Sequence, residues 1–222
     1  HSYYLQPFMD KVVVNYPPVR MPPPNPQRVA ELRAEWSREG GPIIGFAHRF
    51  VEEKRPDLAI QALEIVNQTY PNARLVFAGD YQIAYENTWE RQQELVNRYK
   101  NQLHFLGLLT SPQDVADFYA ACDVLLLTSD SECFALAQVE AMLGGTPVVA
   151  TNIPGGRVPV TVTGMGKLAA MGDWRSIGEA VVEVLSHPND YRKPRQEIEE
   201  IFSFKDTVDR YEQLFTEYAR GH

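Results

Sequence analysis

Little in this chain suits an oxidised, metal-clustered or membrane-spanning protein. Only two cysteines, Cys122 and Cys133, occur in 222 residues, and neither has Cys or His neighbours at metal-ligand spacing. Two thiols in a chain of this length point to a reducing compartment, with both free, and so to a cytoplasmic location. No apolar run approaches the roughly 20 residues of a membrane span. The opening HSYYLQPFMD lacks the basic-then-apolar plan of a signal peptide. Positive charge is also short: 21 Lys and Arg against 29 Asp and Glu leave a net charge of −8. That excludes nucleic acid as a partner, because neutralising phosphates needs a broad basic face. It leaves room for a small anion in a local basic pocket. No internal repeat occurs, and in a reducing compartment the sequon at Asn67-Gln68-Thr69 says nothing.

What is present is ordinary globular material. Hydrophobic residues make up 44% and charged residues 23%, enough to bury a core without staples. Short apolar runs recur at Val12–Val14, Ile43–Ala47, Leu75–Gly79, Leu103–Gly107, Val124–Leu127, Pro147–Thr151 and, more weakly, Gly166–Ala170. Between them, helical periodicity marks Pro56–Gln68, Trp89–Tyr99, Pro112–Ala121, Leu136–Leu143 and Trp174–Ser186. This alternation predicts an α/β fold, a Rossmann-like parallel sheet with helices on both faces. The strands are continuously apolar, as strands buried on both faces must be. Boundary chemistry agrees: Ser111 precedes Pro112 as a cap before a first-turn proline, and Gly144-Gly145 stops a helix.

The ends differ from the middle. Residues 16–26, YPPVRMPPPNP, hold six prolines and read as a stiff extended linker. Residues 204–219 read as an amphipathic helix, with Val208, Tyr211, Leu214 and Phe215 on one face. The organisation expected is a tail and linker over 1–26, a ligand-binding domain over 27–200 and a C-terminal helix over 201–222.

Two constellations carry chemistry. Glu132 and Glu140 are separated by seven residues, CFALAQV. Inside one helix, eight steps of about 100° would leave them roughly 80° apart. Glu132 is therefore placed in the loop before the helix and Glu140 in its second turn. The amides of Phe134–Ala137 then sit at a helix N-terminus, which attracts phosphate because those N–H groups lack intrahelical partners. Arg49 and Lys54, in HRFVEEK after the strand Ile43–Ala47, lie where α/β sheets bind ligands, and two cations there suit a diphosphate. Alone, each pattern also fits plainer roles: Glu132 as a helix-dipole partner, Glu140 as a solvated carboxylate, Arg49 and Lys54 as surface charge.

Together, the matches are specific. From Lys11 to Ala219 the chain resembles the donor domain of the retaining group 1, or family 4, glycosyltransferases of the GT-B fold. Arg49-Phe50 with Lys54, Glu132 with Glu140, Ala141-Met142, and Gly145–Thr151 (GTPVVAT) match the family's motifs in order. So do Phe105-Leu106-Gly107, Ala121–Val124, and Phe202–Phe204 ahead of a helix. The resemblance implies one half of a GT-B fold that binds a UDP- or GDP-linked sugar, with no cofactor and no metal. It implies Arg49 and Lys54 on the phosphates, Glu140 on the ribose and Glu132 on the sugar. The backbone of Cys133, Phe134, Ala135, Leu136 and Ala137 completes the cradle, and Leu106, Gly107 and Leu108 meet the base. The catalytic set implied is Glu132, Arg49 and Lys54, acting on charge that develops at the β-phosphate.

Three departures bear on specificity. Cys133 and Ala135 stand where the family often has glycine, so the sugar is not transferable from the family. His48 also replaces a usual glycine, and a partly buried structural imidazole is favoured there over a catalytic one. No Asp-x-Asp pair occurs, the metal-holding motif of the other large glycosyltransferase fold. The segments Pro154–Arg157 and Thr163–Gly166 read either as donor loops or as strand connections. The resemblance further implies an N-terminal acceptor domain as the missing partner. Membrane contact, if any, would come peripherally and only through that half. The alternatives are a stand-alone donor subunit, a non-catalytic nucleotide-sugar-binding module, and an epimerase or phosphorylase of the same fold.

Overall fold

The computed structural model describes residues 3–220; His1 and Ser2 of the expected tail, and Gly221 and His222 of the expected C-terminal segment, lie outside the described residues. Six strands, β1 (Ile43–Ala47), β2 (Arg74–Ala78), β3 (Leu103–Gly107), β4 (Val124–Leu127), β5 (Val148–Thr151) and β6 (Gly166–Ala169), form one sheet. The spatial order is β3-β2-β1-β4-β5-β6, and every pairing is parallel. The expected Rossmann-like sheet is therefore what forms. Strand order reverses between β1 and β4, whose register pairs Gly45 with Leu125 and Phe46 with Leu126. The crevice at the carboxyl ends of these two strands is the topological switch point, where open α/β sheets bind ligands.

The strands are largely apolar because most of their residues meet one of two cores; Arg74, His104 and Lys167 are the charged or titratable exceptions. One face packs under α1 (Pro26–Trp36), α5 (Pro112–Ala121), α6 (Leu136–Leu143), α7 (Arg157–Thr163) and α10 (Arg195–Ile201). Trp36, Phe118, Leu125, Val139 and Met142 meet there. The opposite face packs under α2 (Pro56–Thr69), α4 (Gln93–Tyr99) and α8 (Trp174–Ser186), around Phe46, Ile60, Phe77, Leu126 and Val181. Side chains alternate along each strand, so Leu125 and Leu126 serve different cores.

Some expectations fail for local reasons. Val12–Val14 is not a strand: these residues are exposed, at 40, 56 and 63%, and follow a 3-10 segment over Tyr3–Lys11. They lie along α11 (Phe204–Arg220), where Arg210 donates to the Val14 carbonyl, rather than beside a sheet edge. Pro26 does not end a linker; it starts α1, capped by the Asn25 side chain, which accepts from the amides of Gln27 and Arg28. The helix expected over Trp89–Tyr99 is two short ones, α3 (Thr88–Arg91) and α4, separated at Gln92. Helices α7, α9 (Pro188–Tyr191) and α10 are too short for their periodicity to stand out in sequence.

At the end of β2 the backbone must pass very close to the β1 turn. Gly79 takes a φ of +134°, and a Cβ there would lie 2.4 Å from the His48 carbonyl oxygen. Only glycine satisfies both demands. Gly79→Ala is therefore expected to destabilise the fold by about 3 kcal/mol, lowering the melting midpoint by on the order of 10 °C. Calorimetric melting of the variant checks this; an unchanged midpoint would contradict the close approach.

Candidate functional site

After β1 the chain turns through His48 and Arg49, and Phe50 fixes the turn. Phe50 is 2% exposed and its ring lies 5.7 Å from Phe77 and 5.3 Å from Trp89. Its amide donates to the Asp80 carbonyl at 2.8 Å. Burying this one ring holds its exposed neighbour Arg49 at the mouth of the switch-point crevice.

Glu52–Lys54 then form a 3-10 turn, and Arg55 adopts φ +50°. An L-residue takes this left-handed conformation at a cost of roughly 1 kcal/mol or more. The cost is offset by one local ion pair and by contacts across the crevice. Arg55 pairs with Asp57 at 3.0 Å and with Asp130 at 3.3 Å. Thr128, at the end of β4, donates its hydroxyl to the carbonyls of Lys54 and Arg55 at 2.8 and 2.9 Å. The Asp130 amide donates to the Glu53 carbonyl at 2.9 Å. The loops following β1 and β4 are thus stapled together over the switch point.

The staple brings Lys54 to Glu132. Lys54 Nζ lies 2.8 Å from Glu132 Oε1, with the side chains only 16 and 12% exposed. Ser129 Oγ donates to the same oxygen at 2.8 Å. Glu132 sits in the loop before α6, as expected, and that loop is backed by the connection after β5. A Cβ on Gly155 would lie 2.0 Å from the Glu132 carbonyl oxygen, and the Gly156 carbonyl accepts from buried Gln138 on α6 at 2.6 Å. The segment Pro154–Arg157 is therefore a strand connection that touches the candidate loop through its backbone. Thr163–Gly166 links α7 to β6, with Thr163 accepting from the Met165 amide.

At the start of α6, the amides of Phe134, Ala135 and Ala137 take no protein partner among the described residues, whereas that of Leu136 donates to the Phe134 carbonyl. Phe134's ring faces away, packed 5.9 Å from Tyr16 and 5.8 Å from Phe202. Ala135 is buried, Leu136 is 44% exposed, Ala137 is half-buried and Cys133 is an exposed free thiol. Cys122, also free, is fully enclosed.

Glu140 is held by a residue that sequence reading did not single out. Tyr119 on α5 donates its hydroxyl to Glu140 Oε2 at 3.0 Å. Burial raises the Glu140 carboxyl above its ordinary range, and Tyr119's hydrogen bond partly opposes this. Burial, with the carboxylate beside it, pushes the Tyr119 phenol well up. Tyr119 also lines a cavity of about 230 Å³ with His48, Arg49, Gly79, Leu108 and Val115. The cavity joins the β1 turn and the loop after β3, and Tyr119 links it to Glu140. Leu108 is 61% exposed there. Leu106 faces elsewhere, toward Trp36 and Asp117, so its side chain does not share this cavity. Gly107 takes φ +75° and accepts from the Gly79 amide at 2.8 Å. Arg49 and Lys54 are not in contact: Arg49's guanidinium bonds the Tyr85 hydroxyl. A larger cavity, about 480 Å³, opens at the opposite edge of the sheet beside Gly41 and Asn72, but its Arg33 is already paired with Asp123 at 2.9 Å.

His48 has an enclosed Nε2 with no protein partner among the described residues and packs edge-on to Phe46 at 5.5 Å. Burial lowers its pKa to about 4; the negative charge of Glu132 opposes that shift, and Lys54 adds to it. The imidazole is therefore neutral at physiological pH. The unfolded chain takes up a proton at His48 near pH 6.5 and the folded chain only near 4. Stability contributed by the neutral form is present above 6.5 and lost as pH falls from 6.5 towards 4. Replacing His48 with Gln should flatten the loss of stability across that window, measured by denaturant unfolding at several pH values; an unchanged slope would show that His48 is not the group responsible.

Comparison with known proteins places this geometry. The family described as glycosyl transferases group 1 matches residues 29–201. The chain is 32% identical over 166 residues to the 2-deoxystreptamine glucosyltransferase of Streptomyces kanamyceticus, covering 73% of this chain and 42% of that protein. It is 27% identical over 198 residues to the N-acetyl-alpha-D-glucosaminyl L-malate synthase of Bacillus anthracis, covering 86% and 50%. Among solved structures, Anabaena Alr3699/HepE in complex with UDP and glucose superposes with a TM-score of 0.79 at 21% identity, covering 92% of this chain and 56% of that one. The chain thus spans half or less of the length of these curated relatives. By its matched residues and its fold, the chain belongs to the group 1 glycosyltransferase family.

Proposed function

We propose that the chain is the donor-binding half of a retaining glycosyltransferase that takes a UDP- or GDP-linked sugar and uses no metal. The observation carrying this reading is the Lys54–Glu132 pair, stapled over the switch point. Beside it lies the cavity that joins Arg49, Leu108 and Tyr119. In this reading the base enters beside Leu108, over the Gly107 backbone, with Leu106 contributing only main-chain groups. Glu140, oriented by Tyr119, receives the ribose hydroxyls. Arg49, Lys54 and the free amides at the start of α6 receive the diphosphate. Glu132 holds the sugar, with Cys133 and Ala135 shaping the space around it. As the glycosidic bond breaks, negative charge grows on the β-phosphate, and preorganised cations and amides stabilise it without reorganising. The UDP named in related structures supports a nucleotide ligand.

The acceptor site belongs, in this reading, to a second domain. Exposed apolar side chains of α11 are available for it to cover: Phe204, Phe215 and Tyr218 are 46, 70 and 72% exposed.

Binding tests the reading directly. In thermal shift or calorimetry, one nucleotide diphosphate series, UDP- or GDP-linked, should stabilise the chain by about 2.7 kcal/mol at a hundredfold excess over its Kd. Arg49→Ala or Lys54→Ala should weaken that binding by about 10- to 100-fold, since charge-assisted hydrogen bonds contribute roughly 1.5–3 kcal/mol each. If no nucleotide diphosphate shifts stability, the proposal fails. Glu132→Gln should lower the transfer rate by about 100-fold or more in an enzyme that includes the acceptor half; full activity would favour a non-catalytic binding module.

A further inference from the structure

The segment between β2 and α3 is anchored at both ends and points its middle at Arg49. At its start, Asp80 accepts from the Phe50 amide at 2.8 Å, and the Tyr81 ring lies 4.9 Å from Trp89 and 5.3 Å from Phe105. At its end, Glu86 accepts from the Glu52 amide at 3.0 Å and the Thr88 hydroxyl at 3.1 Å. Arg91 pairs with the Glu52 carboxylate at 2.9 Å. The segment is therefore tied to the Arg49–Lys54 loop on both sides of Tyr85.

Tyr85 is an aromatic side chain with no burial to explain it. It is 69% exposed, and its contact is the hydrogen bond its hydroxyl accepts from Arg49 Nη1. Arg49 has no carboxylate partner among the described residues. An exposed arginine carries about 2 kcal/mol of rotamer entropy, and most of its orientations are useless to a ligand. A phenol is neutral, so it can fix the guanidinium without cancelling its charge. It also occupies one of five N–H groups, leaving the others for an anion. Fixing a binding group in advance raises affinity by removing its ordering cost from the binding step.

We propose that Tyr85 is a positioning residue that holds the Arg49 guanidinium toward the diphosphate of the donor. This rests on the phosphate-binding role proposed above for Arg49. The segment Tyr81–Asn87 is then a brace for the phosphate loop.

A double-mutant cycle tests this, with calorimetric titration of the full chain by UDP and by GDP, using whichever binds. Tyr85→Phe removes only the hydroxyl. It should weaken diphosphate binding by about fivefold while the ligand-free melting midpoint stays unchanged, because the ring is already in solvent. In an Arg49→Ala background the same change should have no further effect. A merely structural role would move the melting midpoint and persist without Arg49. Unchanged or tighter binding by Tyr85→Phe overturns the proposal, as does an equal loss in both backgrounds. If the unmodified chain binds neither diphosphate, the donor-binding reading itself falls and takes this proposal with it.

Discussion

The site depends on the staple that joins the loops after β1 and β4. Two adjacent parallel strands end side by side, and their loops would otherwise diverge to opposite faces of the sheet. One threonine hydroxyl on two carbonyls, one amide on a third, and the Arg55–Asp130 pair hold them together. Arg55's left-handed backbone is the local cost of turning Lys54 inward. The staple spans the 78 positions between Lys54 and Glu132 and holds their loops where the two side chains hydrogen-bond.

The pairing also explains how opposite charges coexist here in partial burial. A half-buried carboxylate needs a cation and further donors to offset its lost hydration. Glu132 has Lys54 and Ser129, both at the same oxygen, which leaves its other oxygen without a side-chain donor among the described residues. Lys54 likewise retains donors beyond the one given to Glu132. Glu140 is arranged differently: burial makes its carboxyl easier to protonate, and its single neutral donor, the Tyr119 hydroxyl, only partly opposes this. Two glutamates eight positions apart thus occupy distinct electrostatic settings, set by the elements opposite them rather than by their own helix.

Much of this was legible in sequence, because the sheet is buried on both faces and its strands announce themselves as mostly apolar runs. The placing of Glu132 in a loop and Glu140 within the helix follows from helical geometry alone. What sequence did not reveal is mostly long-range. Tyr119 reaches Glu140 across two helices, Tyr85 reaches Arg49 from another loop, and Gly155 is required by a backbone that passes it from elsewhere. None has a local pattern. Val12–Val14 misled for the converse reason: β-branched residues favour extended backbone, but a strand also needs a free sheet edge, and this segment lies along a helix instead. Leu106 shows the limit of motif transfer, since the motif locates the loop but not the direction of each side chain.

Amide hydrogen exchange of the chain with and without a saturating nucleotide diphosphate tests most directly whether the stapled switch point is the binding site. Protection confined to 48–55, 106–109 and 132–140 is the predicted result. Protection at the opposite edge of the sheet, around Gly41 and Asn72, with these segments unchanged, would contradict it.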